Sequence, residues 1–227
     1  MDKKQVILAS ASPRRKELLE QMGLSFRIVP CEKEEIITGV TPKEIVENLS
    51  YQKAEDVAQR LQDTGAELQQ EGDCGQEAGE TMLVIGSDTI VVCDGQIMGK
   101  PHSEEEAFAM IQKLQGRTHE VYTGVTIARA GANNIAYDTF SECTSVKVHS
   151  MEDEEIRDYL ALGESMDKAG AYGIQGGFAV FVEEIQGEYG TVLGLPVAAL
   201  YQALRRQGVR IRQHENVEHE RGEKLRR

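Results

Sequence analysis

Apolar residues in this chain recur at two spacings that alternate along its length. The continuous run Val6-Ile7-Leu8-Ala9 has the form of a buried strand and predicts one over residues 5–10. Leu18, Leu19 and Met22 then follow at helical spacing. Ser12 offers an N-cap, Pro13 occupies the first turn where its missing N–H costs nothing, and Gly23 stops the helix. Residues 26–29 predict a second strand. Thr41 and Glu44 form a capping box, and the helix after them carries Ile45, Val46, Leu49, Ala54, Val57 and Leu61 on one side. Residues 83–85 and 89–92 predict two further strands, and Asp94-Gly95 signals a hairpin into residues 96–98. Ser103 and Glu106 cap a helix that ends at Gly116. Residues 119–128 and 135–149 predict two long strands joined by a Gly-Ala-Asn-Asn turn. An acidic amphipathic helix over 151–162, a strand over 178–185 and a last helix over 196–207 complete the pattern.

Strands and helices interleave, yet one long hairpin must be antiparallel. That predicts an α/β fold with a mixed, twisted sheet and flanking helices rather than a simple doubly wound one. Residues 62–80 break the periodicity, with glycine and acid in place of apolar positions. They read as a flexible surface insertion, not as a domain boundary. Residues 213–227 mix charge with almost no apolar content and read as a mobile tail. The expectation is one domain over residues 1–212.

Composition narrows the function. The chain has 227 residues, enough to bury a sizeable core, and a net charge of −13. Residues 62–81 alone hold six acids and no lysine or arginine. Acidity on that scale argues against binding a nucleic-acid polymer, but a small anion needs only a local basic pocket. No apolar run reaches the length of a membrane span, and the apolar stretch near the N-terminus is too short for a signal peptide. A cytoplasmic location is expected. Cys31, Cys74, Cys93 and Cys143 form no CxxC pair and read as free buried thiols, the alternative being a redox role for Cys74, which sits in the polar insertion.

Three separated segments carry the chemistry: LASASPRR at 8–15, GSDTIVVCDGQIMGKP at 86–101 and MDKAGAYGIQG at 166–176. In the first, a strand runs into a helix whose N-terminal N–H groups favour phosphate. Arg14 and Arg15 oppose the helix dipole there, so the pair calls for an anionic partner. In the second, Asp88 interrupts a strand pair. A carboxylate there is a turn residue, a general base on water, a metal ligand, or both of the last two. Lys100 follows a near miss to a P-loop, with three residues between the glycines and a proline after the lysine, so a P-loop is rejected. Lys53 lies among apolar neighbours and on its own reads as a snorkelling surface lysine. In the third, glycines let backbone approach a flat ligand, and the Gln175 amide can donate to and accept from the edge of a base. No HExxH pair and no GxSxG elbow occur.

Together, in this order, these segments resemble the Maf family of nucleotide pyrophosphatases over about residues 5–207. The resemblance implies hydrolysis of a nucleoside triphosphate between the α and β phosphates, with a divalent cation, magnesium or manganese. It implies two lobes around a central cleft, as in the inosine-triphosphate pyrophosphatases, and a possible homodimer. The family's general base falls on Asp88, which also serves the metal. Its phosphate-handling positions fall on Ser10, Arg15, Lys53 and Lys100. Its second metal carboxylate falls among Glu32, Glu34 and Glu35, with Glu35 favoured. Three positions that track substrate choice fall on Arg14, Thr89 and Gln175, in the combination of the branch acting on dTTP and UTP, with modified uridine nucleotides as further candidates. The rival readings are a non-catalytic nucleotide-binding regulator of cell division and a pyrophosphatase for modified purine nucleotides.

Overall fold

The computed structural model describes residues 4–63, 81–131 and 134–210. All but Gln62 and Asp63 of the expected insertion, Cys74 within it, the middle of the turn after Gly131 and the expected tail lie outside the described residues. In chain order the elements are β1 (Lys4–Leu8), α1 (Pro13–Gln21), β2 (Phe26–Ile28), α2 (Pro42–Asp63), β3 (Thr81–Cys93) and β4 (Gln96–Met98). Then come α3 (Glu104–Leu114), β5 (Thr118–Ala130), β6 (Ile135–Val148), α4 (Asp153–Ala161), β7 (Val182–Gln186), α5 (Tyr189–Leu193) and α6 (Val197–Arg206). Two short 3₁₀ turns, Ala169–Ala171 and Gly177–Phe181, precede β7.

The seven strands form one mixed sheet in the order β2-β1-β3-β5-β6-β7, with β4 beside the far end of β3. β1 runs parallel to β2 and β3, and the remaining pairs are antiparallel. The mixed α/β architecture expected from the pattern is therefore present. Two strand expectations need correction. Residues 83–85 and 89–92 are not separate strands but parts of the 13-residue β3. Gly86, Ser87 and Asp88 have low strand preference, but β5 pairs with β3 continuously from Met82 to Val92 and carries it through them. The strand expected over 178–185 starts only at Val182, because Phe178 is turned inward and packs on Tyr159 and Tyr172.

Alternation along β3 sorts the core into two layers. Leu83, Ile85, Val91 and Cys93 face α1, α3, α4 and α6 in the larger cluster. Val84, Ile90 and Val92 face α2. The contacts of α2 fall into two apolar patches, one at Ile45, Val46 and Leu49 and one from Ala54 to Leu61. Between them sit Ser50 and Lys53, above Gly86 and Asp88. The helix lies very close to the sheet there. A Cβ on Gly86 would fall 2.3 Å from the Ser50 carbonyl oxygen, and one on Gly124 would fall 2.2 Å from that of Val46. Two glycines on neighbouring strands thus let α2 descend and bring Lys53 to the strand.

The sheet also has a gap. β1 pairs with β3 only as far as Ile85, and β4 joins the same side only at Val91. Between them, residues 86–90 have a strand partner on the β5 side alone among the described residues. The chain leaving β1 and the chain leaving β4 flank this opening.

Candidate active site

A cleft of about 900 Å³ lies over the gap. Ser10, Arg14, Arg15, Glu35, Lys53, Asp88, Thr89, Lys100 and Gln175 all line it. The sequence spreads these residues over 166 positions, and the open edge of β3 gathers them.

Asp88 points to the α2 face of the sheet. Lys53 Nζ donates to its Oδ1 at 2.5 Å and stands 3.1 Å from Glu35 Oε1. Lys53 is only 9 % exposed, so it is not the snorkelling surface lysine that its local sequence suggests. Of the competing acids, Glu32 pairs with Arg60 at 3.0 Å, away from Lys53, while Glu35 reaches the cleft. The loop that bears Glu35 is tied to α2 by Gln52, whose amide accepts from Ile36 N–H at 2.9 Å and donates to Ile36 C=O at 2.7 Å.

Thr89, one residue on, points to the opposite face, where Arg15 lies. The Arg15 guanidinium donates from Nε to the Gly194 carbonyl at 2.8 Å, from one terminal nitrogen to Ser10 Oγ at 3.2 Å and from the other to Thr89 Oγ1 at 3.3 Å. Burial lowers the Arg15 pKa, and the charge of Asp88 opposes that shift. Thr123 Oγ1 gives its one proton to the Thr191 carbonyl at 2.7 Å. Thr89, 2.9 Å away, must then be the donor to Thr123. The Thr89 proton is spent inside the protein, and toward the cleft its hydroxyl can only accept.

Ser12 is the N-cap of α1, but its side chain makes no cap bond. Ser10 Oγ instead accepts Ser12 N–H at 3.2 Å. The first turn of α1 therefore keeps donors for an anion, as expected of that terminus. The anionic partner that the sequence asks for at Arg14 is partly internal: Asp167 stands 3.8 Å away and also pairs with Lys168 at 2.6 Å. Lys100 follows β4 at the rim. The neighbouring Gly99 carbonyl accepts Gly170 N–H at 3.0 Å, which ties the rim to the glycine-rich segment that bears Gln175.

Several contributors escape the sequence reading. Thr123, Thr191 and Gly194 lie far from the motifs and act by fixing Thr89 and Arg15. Asp167 sits inside the third motif, where nothing local signals its pairing with Arg14. The three described cysteines are free, and only Cys93 of them is fully buried. Cys31 is half-buried and Cys143 exposed, against the expectation of buried thiols. No helix among the described residues is long and apolar enough to cross a membrane.

The chain is 49% identical over 208 residues to a dTTP/UTP pyrophosphatase of Agathobacter rectalis, covering 90% of this chain and 98% of that one. It is 43% identical over 206 residues to the dTTP/UTP pyrophosphatase of Lachnoclostridium phytofermentans, covering 90% and 96%. Among solved structures, a HAM1 protein from Coxiella burnetii overlaps 64% of this chain and 73% of that one at 13% identity, with a TM-score of 0.41. That overlap is too loose to bear on the fold, which rests on the strand order. A family model described as Maf-like protein matches residues 5–207, and the chain belongs to that family.

Proposed function

We propose that this protein hydrolyses dTTP and UTP to the nucleoside monophosphate and pyrophosphate. The observation that carries the reading is the placement of Asp88. It is a carboxylate on the open strand edge of a cleft that also holds Lys53, Arg15 and Lys100. The names of the relatives supply the substrates.

In this reading Asp88 accepts the proton of a water that attacks the α-phosphorus, and pyrophosphate leaves. Lys53, held between Asp88 and Glu35, orients the carboxylate and supplies positive charge beside the reacting group. Arg15 is fixed by three internal acceptors, so its charge is in place before substrate arrives. Lys100 and the first turn of α1 receive the phosphates that leave. Gln175 faces the base, where an amide matches the O4 and N3–H of uracil or thymine.

The residues present also fit a divalent cation. Glu35 and Asp88 both line the cleft and offer two carboxylates that converge on the Lys53 ammonium. Magnesium typically takes one or two protein carboxylates and completes its shell with waters and substrate phosphates. Glu35 and Asp88 would hold magnesium or manganese, and the ion would supply charge neutralisation at the phosphates. The reaction belongs in the cytoplasm, where nucleoside triphosphates are made and spent.

The test is a panel of nucleoside triphosphates with magnesium or manganese, following pyrophosphate, orthophosphate and monophosphate release. Pyrophosphate from dTTP and UTP, with little from ATP or GTP, is expected. A preference for purines would keep the reaction and overturn the specificity. Nucleotide binding without release would leave a binding protein.

A further inference from the structure

The glycine-rich segment that bears Gln175 is built on irregular backbone. Ala171 sits at φ 60° and Gly176 at φ 99°, and residues 172–176 belong to no regular element. Backbone of this kind has no ladder to satisfy its N–H groups, so turn carbonyls, side chains or water take them. Two side chains do so, and they flank one residue. Gly173 N–H donates to Tyr159 Oη at 3.0 Å, and Gly177 N–H donates to Glu164 Oε2 at 3.1 Å. The bonded groups lie two residues before Gln175 and two after it. Gln175 itself is exposed to the cleft, and its amide makes no hydrogen bond among the described residues.

Both anchors are themselves well placed. Tyr159, in the last turn of α4, is 3 % exposed, and its ring meets Phe178 edge-on with centroids 5.1 Å apart. Burial pushes its phenol up to about 12, so it stays a neutral acceptor at working pH. Glu164 follows the end of α4. A Cβ on Gly176 would stand 2.5 Å from Glu164 Oε2, so glycine at that position is what admits the carboxylate. The side chain of Tyr172, in the same segment, is held from beneath by His119 at 2.7 Å.

An amide reads a base edge only when its backbone is held to within a fraction of an ångström. We infer that Tyr159 and Glu164 are positioning residues for substrate choice, clamping the backbone on both sides of Gln175 so that its amide meets a pyrimidine edge. This rests on the reading of Gln175 as the residue that faces the base, and both anchors act through it.

The experiment compares UTP with ATP in variants whose thermal midpoints are also measured. Tyr159→Phe keeps the ring on Phe178 and removes only the acceptor. It should raise KM for UTP about tenfold, the scale of one buried hydrogen bond, and lower the UTP-over-ATP preference by a similar factor. kcat should stay within about twofold, because base contacts are made equally in the ground and transition states. Glu164→Ala should behave likewise, whereas Glu164→Gln should keep the preference through its amide oxygen. If Tyr159→Phe does not fold, that pair of Glu164 variants carries the test. Tyr159→Phe combined with Gln175→Ala should lose no more preference than Gln175→Ala alone. Gln175→Ala losing preference while Tyr159→Phe keeps it would overturn the clamp and leave the base reading intact. Additive losses would also overturn it. Gln175→Ala keeping the preference would instead remove the base reading, and the clamp with it.

Discussion

The ammonium of Lys53 stands 2.5 Å from Oδ1 of Asp88, joining the middle of α2 to the middle of β3 at the gap in the sheet. The contact exists because Gly86 and Gly124 let the helix come down onto the strands. In the proposed mechanism Asp88 is the base and Lys53 orients it. Asp88→Asn keeps an oxygen for Lys53 but cannot take up a proton. Its kcat on UTP should fall at least about a hundredfold, the usual scale for a general base, with the circular dichroism spectrum retained. Unchanged turnover in the folded variant would remove Asp88 from the chemistry.

Arg15 bonds three acceptors from three parts of the chain: Gly194, Ser10 and Thr89. A lysine keeps the charge but lacks the planar fork that spans them. Arg15→Lys is expected to lower kcat/KM for UTP by roughly ten- to a hundredfold, the loss typical of one charge-stabilising donor or somewhat less. Steady-state kinetics on the purified variant check it, and wild-type values would show that the charge alone suffices.

Gly124→Ala tests the approach of α2. The added Cβ would fall 2.2 Å from the Val46 carbonyl oxygen and 2.8 Å from the Glu47 nitrogen, both backbone atoms that cannot swing away. Overpacking of this kind costs about 1–3 kcal/mol or more. Denaturant unfolding should report a loss in that range, with activity reduced further because Lys53 is lifted from Asp88. A variant as stable as the parent would mean that the helix does not need the glycine.

Stability should fall with pH through His119. The imidazole is 2 % exposed, and burial lowers its pKa from 6.5 to about 4. The folded chain therefore keeps it neutral where the unfolded chain already protonates it. Between those values the unfolded state binds more protons, so the stability is full above about pH 6.5 and is lost as pH falls toward 4. The size is about 3 kcal/mol for a shift of this extent. Urea unfolding of wild type against His119→Gln should show the gap between them shrinking or reversing by roughly that amount from pH 7 to pH 4. A gap independent of pH would refute it.

Much of the fold was legible in the chain because most elements carry their own signals. The capping box at Thr41 and Glu44 forms as read, with Thr41 and Glu44 exchanging bonds. The Asp94-Gly95 hairpin turn has φ of 50° and 72°, the left-handed pair that this dipeptide favours. Legibility failed where tertiary pairing outweighs local preference. Gly86-Ser87-Asp88 reads as a break, yet β5 holds it in a strand. α5 went unseen: its five residues, YGTVL, contain a glycine and have no capping side chain.

The site was legible as residue types but not as wiring. Asp88, Arg15 and Lys100 sit in motifs whose composition is unusual, and all three reach the cleft. Nothing around Lys53 distinguishes it from a surface lysine, because its burial depends on two glycines on other strands. Choosing Glu35 over Glu32 depends on Arg60 and Gln52, both on α2 and far from either acid in sequence. Thr89 was placed by resemblance as a specificity position, while its observed bonds run to Arg15 and Thr123.

The most direct measurement is hydrolysis of UTP in water enriched in oxygen-18, with the products separated and weighed by mass spectrometry. Attack at the α-phosphorus puts one labelled oxygen in UMP and none in pyrophosphate, and that is the expected result. Label in the pyrophosphate would place the attack on the β-phosphorus, and release of labelled orthophosphate would place it on the γ-phosphorus. Either would contradict the assignment of Asp88 as the base for attack at the α-phosphorus.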